Sequence, residues 1–513
     1  MRLSSWLRSA RSLLVPSGTE KGSRPTRLRK RAMAVRLSLE LLEDRAVPST
    51  FTVFNLADSG LGSLREAILD ANANPGADVI RFAPSARDGT VLLKSGELDI
   101  TDDLQIDGPG ADRLAVSGND ASRVFQISSG AAASIDGLTV SHGRAVGRGG
   151  GILNVGTLTL SDAILSNNLV VGVPGASLGA VVDAFGGGIF NAGALTVRYS
   201  GFVHNRAIGA DGASDTIGSS ALGGAIMSAG TASAPATATV SYSTFLGNQA
   251  IGGAAGIGAS RAGVGGAINN TAGNFTISHS LFHDNQAVGG IENGVPGGFG
   301  AGVGGAVSNV ARFGNASLSV SYCTLTNNQA VGGAAGAGAI AQNGRGGAIA
   351  NYIFGGVVPP VTVTAIASID HCTILGNQAI GGVGPTGGTG QGGGIANSNG
   401  GVLTVSNSLI ALNRAIGGAA APGGNGGNGQ GGGLFNGGVT PVGTPSLMLQ
   451  RSLVALNRAD GGLAGEGGSD GLGQGGGIYL TPGGIACAGP LTTILANHAS
   501  TSDDDVFGTL VDC

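Results

Sequence analysis

Five ring-bearing residues fall on one schedule: Tyr199, Tyr242, His279, Tyr322 and His371 each stand six residues before an asparagine. Those asparagines belong to a longer series, Asn168, Asn205, Asn248, Asn285, Asn328, Asn377, Asn413, Asn457 and Asn497. Rings repeated at one place can stack on sugar rings or grip a partner surface. They can also stack on one another at a corner of the fold. The same place reads Asp162 before the rings and Asn407, Arg451 and Leu491 after them.

Other chemistry is sparser. General acid–base work on sugars needs paired carboxylates at a set separation, and calcium needs six or more oxygens. Between residues 163 and 459 the acids are Asp183, Asp211, Asp215, Asp284, Glu292 and Asp370. They occupy different places in different repeats, and no two align on adjacent coils. No catalytic, metal-binding or cofactor-binding residue is therefore assigned. The acid-dense stretch lies earlier, at Asp99, Asp102, Asp103, Asp107, Asp112 and Arg113, and Asp503-Asp504-Asp505 reads as a solvated turn rather than a cation site. The four cysteines form no framework and no C-x-x-C pair. Cys323 and Cys372 share one repeat position, where small core residues are expected, with an inter-coil bridge as the alternative. Cys487 and Cys513 are candidates for a disulfide that pins the C-terminal tail.

What positions these residues is a phrase written nine times. It reads Gly-Gly-(Gly/Ala)-(Ile/Leu/Val), with its apolar residue at Ile152, Ile189, Ile226, Ile268, Val307, Ile349, Ile395, Leu434 and Ile478. A fixed phrase recurring every forty residues or so marks a stacked repeat. Counting back from each Asn, residues ten and eight before it are usually apolar, the fifth is small and the third is large and apolar, as in Leu195, Val197, Ser200 and Phe202. Alternation gives a strand, and the change of step from two to three puts a corner between the last two strands. Three short strands per coil, stacked in parallel, predict a triangular β-helix. The Asn is expected at a left-handed corner, where it is tolerated, and stacked asparagines can hydrogen-bond along the axis. From each Asn to the next phrase the distance is 18 to 22 residues, whereas from phrase to Asn it runs from 16 to 28. The Gly-rich arm is thus the constant part, which predicts an ordered side layer rather than nine splayed loops.

Composition agrees. Gly numbers 99 and aromatics are 4%, yet hydrophobic residues reach 42%, so a long thin core can be buried. Gly does not fall at every third position, which excludes collagen. Residues 1–45 carry eleven Lys/Arg against four Asp/Glu, a net of +7; the remainder carries sixteen against twenty-seven, a net of −11. An acidic body with no basic stripe excludes nucleic acid as a partner. No continuous apolar run is long enough for a transmembrane segment.

Three resemblances follow from named residues. Leu39 through Ser49 resembles a leader motif on large exported bacterial proteins, which implies an extracellular or cell-surface location. The stretch from Asp58 to Phe82, with Ser63-Leu64-Arg65-Glu66-Ala67, resembles the CSLREA domain, although Gly62 stands where that family has its cysteine. The resemblance implies a secreted right-handed parallel β-helix of the pectin-lyase-like class. Repeats such as Gly265–Ile268 with Phe282–Asn285 resemble those of polymorphic outer-membrane proteins, which implies a surface-exposed, adhesive role. The fold class expected is all-β, a single-stranded right-handed parallel β-helix with a short N-terminal capping helix opened by the S-x-x-E capping box Ser63–Glu66. The expected divisions are a basic leader over 1–50, a cap and first coils over 51–148, nine Gly-rich repeats over 149–499 and a closing tail over 500–513. The expected function is a structural or adhesive protein that binds polysaccharide, matrix or another cell surface. A polysaccharide lyase or glycoside hydrolase is the alternative.

Overall fold

The structure, a computed structural model, describes residues 48–176, 180–213, 216–255, 261–292, 300–354, 363–438 and 443–513. The leader, most of its export-like motif and Asp215 lie outside the described residues.

The chain is an all-parallel β-helix. One repeat shows the path: Ile189–Asn191 in a first sheet, Ala194–Arg198 in a second, Gly201–Val203 in a third, Arg206–Ile208 in a fourth and Ala221–Leu222 in a fifth. These sheets hold 12, 14, 12, 10 and 8 strands respectively. Each strand pairs in parallel with its counterpart one coil away, so that Leu195 lies over Ala238 and Val197 over Val240. The in-register stacking follows from the repeat: like residues meet like residues at the strand spacing. Ile189, Leu195, Val197 and Phe202 face one buried core that runs along the first three sheets. Within it Phe202, Phe245 and Phe282 stack with ring centroids 4.7 and 4.6 Å apart.

The Gly phrase has a backbone reason at each place. Gly186 sits at φ 71°, where glycine costs least. A Cβ on Gly187 would lie 2.3 Å from the carbonyl oxygen of Gly224 in the next coil. The third place tolerates alanine, as at Ala225, Ala267, Ala306 and Ala348, all buried.

The sequence predicts three strands per coil; eight of the nine repeats have five and the last has four. The two extra ones border the Gly-rich arm. Its fourth-sheet strands carry Ala207, Ala250, Ala287, Ala330, Ala379, Ala415 and Ala459, all fully buried. Opposite them the fifth sheet presents alanine in its first two strands, Ala184 and Ala221, and glycine in the rest: a Cβ on Gly263 would lie 2.3 Å from the Ala250 carbonyl oxygen. Ala against Gly lets two backbones approach as a thin second layer. Successive arms hydrogen-bond directly, Gly252 N–H to Val288 O at 2.8 Å and Gly332 N–H to Ile380 O at 2.8 Å among them. The signal in the sequence is the alanine two residues after every Asn of the series but Asn168, which has Val170 there.

The first coil is met by a helix, Leu64–Ala73. Ser63 caps it, its side chain accepting from Glu66 N–H, and Leu64, Ala67, Ile68 and Ala71 join the main core. Arg65 donates to the carbonyl oxygens of Glu97 and Gly96, both at 2.7 Å. Gly62 is left-handed at φ 78°, a conformation in which a cysteine side chain would be strained. At the other end the strand Val511–Asp512 pairs with Ile485–Ala488. A disulfide joins Cys487 to Cys513, with Cα atoms 5.1 Å apart. Among the described residues no helix is long and apolar enough to cross a membrane.

Candidate functional site

The residues between the second and third sheets form a two-residue corner in each coil from Asp162 to Arg451, and a four-residue one, residues 489–492, in the last. Its next-to-last residue is left-handed throughout: Asp162, Tyr199, Tyr242, His279, Tyr322, His371, Asn407, Arg451 and Leu491 have φ between 46° and 65°. A second left-handed site follows the third-sheet strand, at Asn167, His204, Gly247, Asp284, Asn327, Gly376, Leu412, Leu456 and Ala496. The corner expected at the repeated Asn is therefore one residue earlier, and the Asn itself is not left-handed.

The Asn has a different task. Every member from Asn168 to Asn457 is essentially inaccessible, and each Nδ2 donates to the Oδ1 of the next at 2.9 to 3.0 Å. The same Oδ1 also accepts the backbone N–H of the Asn one coil earlier, for example Asn248 N to Asn285 Oδ1 at 3.0 Å. The chain of bonds ends where Asn497 Nδ2 meets Asp505 Oδ1 at 2.9 Å. Asp504 Oδ1 takes the Ala499 N–H at 2.8 Å, so two of the three tail acids close the last coil. A second ladder, Asn270, Asn309, Asn351, Asn397 and Asn436, runs along the first-sheet strands with Nδ2 to Oδ1 distances of 2.8 Å.

The five rings of the outer corner form one stack. Centroid separations are 5.2 Å for Tyr199–Tyr242, 4.7 Å for Tyr242–His279, 5.0 Å for His279–Tyr322 and 4.7 Å for Tyr322–His371, with planes within 19° of parallel. The tyrosines are 51% to 59% exposed. Inner ring faces are covered by their neighbours, so edges and hydroxyls point to solvent. The stack ends on a polar cluster. Asp370 accepts from His371 Nδ1, Ser406 Oγ and Asn407 Nδ2 at 2.8, 2.7 and 2.8 Å, and Arg451 Nε donates to Asn407 Oδ1 at 2.9 Å. Burial pushes the Asp370 carboxyl up, but these hydrogen bonds and the His371 charge together hold it at about 2.

Of the other acids, Asp284 faces His283 Nε2 at 3.2 Å, and two serve the backbone. Asp183 Oδ1 takes the Ser220 N–H at 2.7 Å and Asp211 Oδ1 the Ala254 N–H at 2.8 Å, each tying one arm to the next. Burial pushes the Asp183 carboxyl up. Cys323 and Cys372 are buried free thiols. The hydrogen bond with Cys372, together with burial, pushes the Cys323 thiol up.

No sequence-family profile matches the chain, and no curated protein does. Three solved structures are similar to it in part of their course. Tailspike protein 3 of bacteriophage CBA120 aligns at 12% identity over 89% of this chain and 61% of its own, with a TM-score of 0.34. The catalytic domain of a GH87 alpha-1,3-glucanase aligns at 14% identity over 88% and 69%, with a TM-score of 0.30. The A-module of the mannuronan C-5 epimerase AlgE6 of Azotobacter vinelandii aligns at 12% identity over 90% and 99%, with a TM-score of 0.23. The chain spans 61% of the length of the tailspike it matches.

Proposed function

We propose that this protein is an extracytoplasmic or cell-surface scaffold that binds polysaccharide or matrix along the corner that carries the ring stack. The observation that carries this is the placing of five rings, exposed and in line, at sites whose backbone favours Gly or Asn. A left-handed conformation costs a bulky residue roughly 1–2 kcal/mol. A stacked ring pair returns about 0.5–1.5 kcal/mol. The two nearly cancel, so stability alone gives little reason to keep rings there. Ring edges at centroid separations of 4.7 to 5.2 Å, with tyrosine hydroxyls and imidazole nitrogens among them, suit a polymer of sugar units lying along the axis. The disulfide Cys487–Cys513 supports an oxidising compartment.

The test is binding of the purified full chain to a panel of neutral and acidic polysaccharides, with Tyr242→Asn/Tyr322→Asn as the variant. Asn suits the left-handed site, so the double variant keeps its melting temperature within a few degrees. Expected is at least a tenfold loss of affinity for the polymer bound. Unchanged affinity removes the corner from the binding surface, and the absence of binding to any polymer removes the reading. Release of reducing ends or of unsaturated sugars from any polymer in the panel establishes the lyase or hydrolase alternative instead.

A further inference from the structure

The first coils make the same corner differently. Later coils cross from the second to the third sheet in two residues, or four in the last. The first two use six: residues 83–88 between Asp78–Phe82 and Gly89–Leu92, and residues 108–113 between Leu104–Asp107 and Leu114–Ser117. The enlarged corners enclose a cleft of about 210 Å³ lined by Arg81, Phe82, Arg87, Asp107, Pro109 and Arg113 among others. Three guanidinium groups on one cleft stand out in a body whose net charge beyond residue 45 is −11, from sixteen Lys/Arg and twenty-seven Asp/Glu.

The three are not equivalent. Arg113 is held bidentate by Asp88, Nε to Oδ1 and Nη2 to Oδ2, both at 2.8 Å. Arg81 Nε donates to Asp107 Oδ2 at 3.2 Å. Arg87 Nε donates to the Phe82 carbonyl oxygen at 3.0 Å; this side chain has no carboxylate within ion-pair distance among the described residues, although its charge reaches Asp88 and, after the Arg113 contacts, helps to hold that carboxyl low. That bond leaves the two terminal nitrogens of Arg87 beyond it, and Arg81 likewise meets Asp107 through Nε alone. Asp107 also accepts from Gln105 Nε2 at 2.6 Å, and a carboxylate has further lone pairs for a sugar hydroxyl.

We infer that this cleft is a binding site for an anionic substituent, a carboxylate or a sulfate ester, with Arg87 as the principal cation and Arg81 beside it. Guanidinium donors match such groups in geometry and charge. The cleft lies on the same line as the ring stack. Three coil steps, through Ala132–Asp136 and Thr157–Ser161, separate Leu104–Asp107 from Ala194–Arg198, a distance of roughly 14 Å at the strand spacing. A polymer on the corner thus reaches both, and the class of ligand becomes a polysaccharide bearing acid groups. The polymer part rests on the proposed function; the anion site does not.

The experiment measures the full chain against polyuronate, dextran sulfate and neutral dextran, and against free glucuronate and inorganic sulfate. Variants are Arg87→Gln, Arg81→Gln/Arg87→Gln, Arg87→Lys and, as a control of equal charge loss elsewhere, Arg206→Gln. Expected is a tenfold or greater loss for one anionic polymer and its small anion in Arg81→Gln/Arg87→Gln, a smaller loss in Arg87→Gln, partial recovery in Arg87→Lys and no loss in Arg206→Gln. Polyuronate against dextran sulfate tells carboxylate from sulfate. Equal losses in Arg206→Gln and Arg87→Gln, or none in either, overturn the site. Loss of small-anion binding in the Arg variants while the ring variants leave every polymer unaffected keeps the anion site and discards the polysaccharide reading; the reverse pattern discards the anion site alone.

Discussion

Two ladders run along this molecule, one inside and one on a corner, and they follow opposite rules. The inner one is asparagine in all nine repeats. The outer one, six residues earlier, reads Asp, Tyr, Tyr, His, Tyr, His, Asn, Arg, Leu. Inside, each amide is both donor and acceptor to its neighbours and no other side chain of that size can replace it. Outside, the backbone asks for a left-handed residue and receives rings instead. Invariance marks what the coil needs to close. Variation marks where the coil is free to face something else.

The largest effect should come from breaking the inner ladder. Asn285→Ala removes the acceptor of Asn248 N–H and Nδ2 and the donor to Phe245 O and Asn328 Oδ1. Several buried polar groups lose their partner at once, each costing about 1–3 kcal/mol, so a loss of about 3–5 kcal/mol is expected. Stability in a solenoid is local, and hydrogen exchange is the measurement of choice. Protection should fall in Gln249–Ile251 and Gln286–Val288 well before the first coils. Uniform protection along the chain would mean that the ladder is decoration.

A middle-sized effect belongs to the polar cluster that ends the ring stack. The Asp370 carboxyl is held at about 2, below its ordinary value near 4. The sign follows directly. A carboxylate depressed in the folded state adds stability above its unfolded pKa and loses it as pH falls toward the folded one. Asp370→Asn should therefore lower the melting temperature by a few degrees at neutral pH, and the gap should close between about pH 4 and pH 2. A gap that persists at pH 2 would assign the effect to packing, not charge.

Much of this was legible beforehand, and what was not has a physical reason. The three sheets around the core follow from apolar spacing, as at Leu195, Val197 and Phe202, because burial imposes its period on the sequence. The fourth and fifth sheets bury alanine against glycine, residues that leave no apolar signature, so only the repeated Ala207, Ala250 and Ala287 hinted at them. Local preference points to the Asn for the left-handed corners, because Asn tolerates them; Tyr199 or Leu456 in that conformation contradicts local preference and cannot be read from it. The ring stack was visible as an alignment. The Arg cleft was not, since it depends on two long connections that occur once.

The smallest effect is the most informative about the two ladders. Leu456 sits left-handed at φ 58° and is 56% exposed, so it has backbone strain and little burial to set against it. Leu456→Asn should stabilise the protein by roughly 0.5–1 kcal/mol. Tyr242→Asn relieves the same strain but also gives up two ring contacts, together worth about 1–3 kcal/mol, so its net change should be a cost of about 0–2.5 kcal/mol. The difference between the two variants, read as a shift in unfolding midpoint, measures what the stack contributes. If Tyr242→Asn instead costs about 4 kcal/mol or more, stacking exceeds its usual worth, and the rings are explained by stability without any ligand.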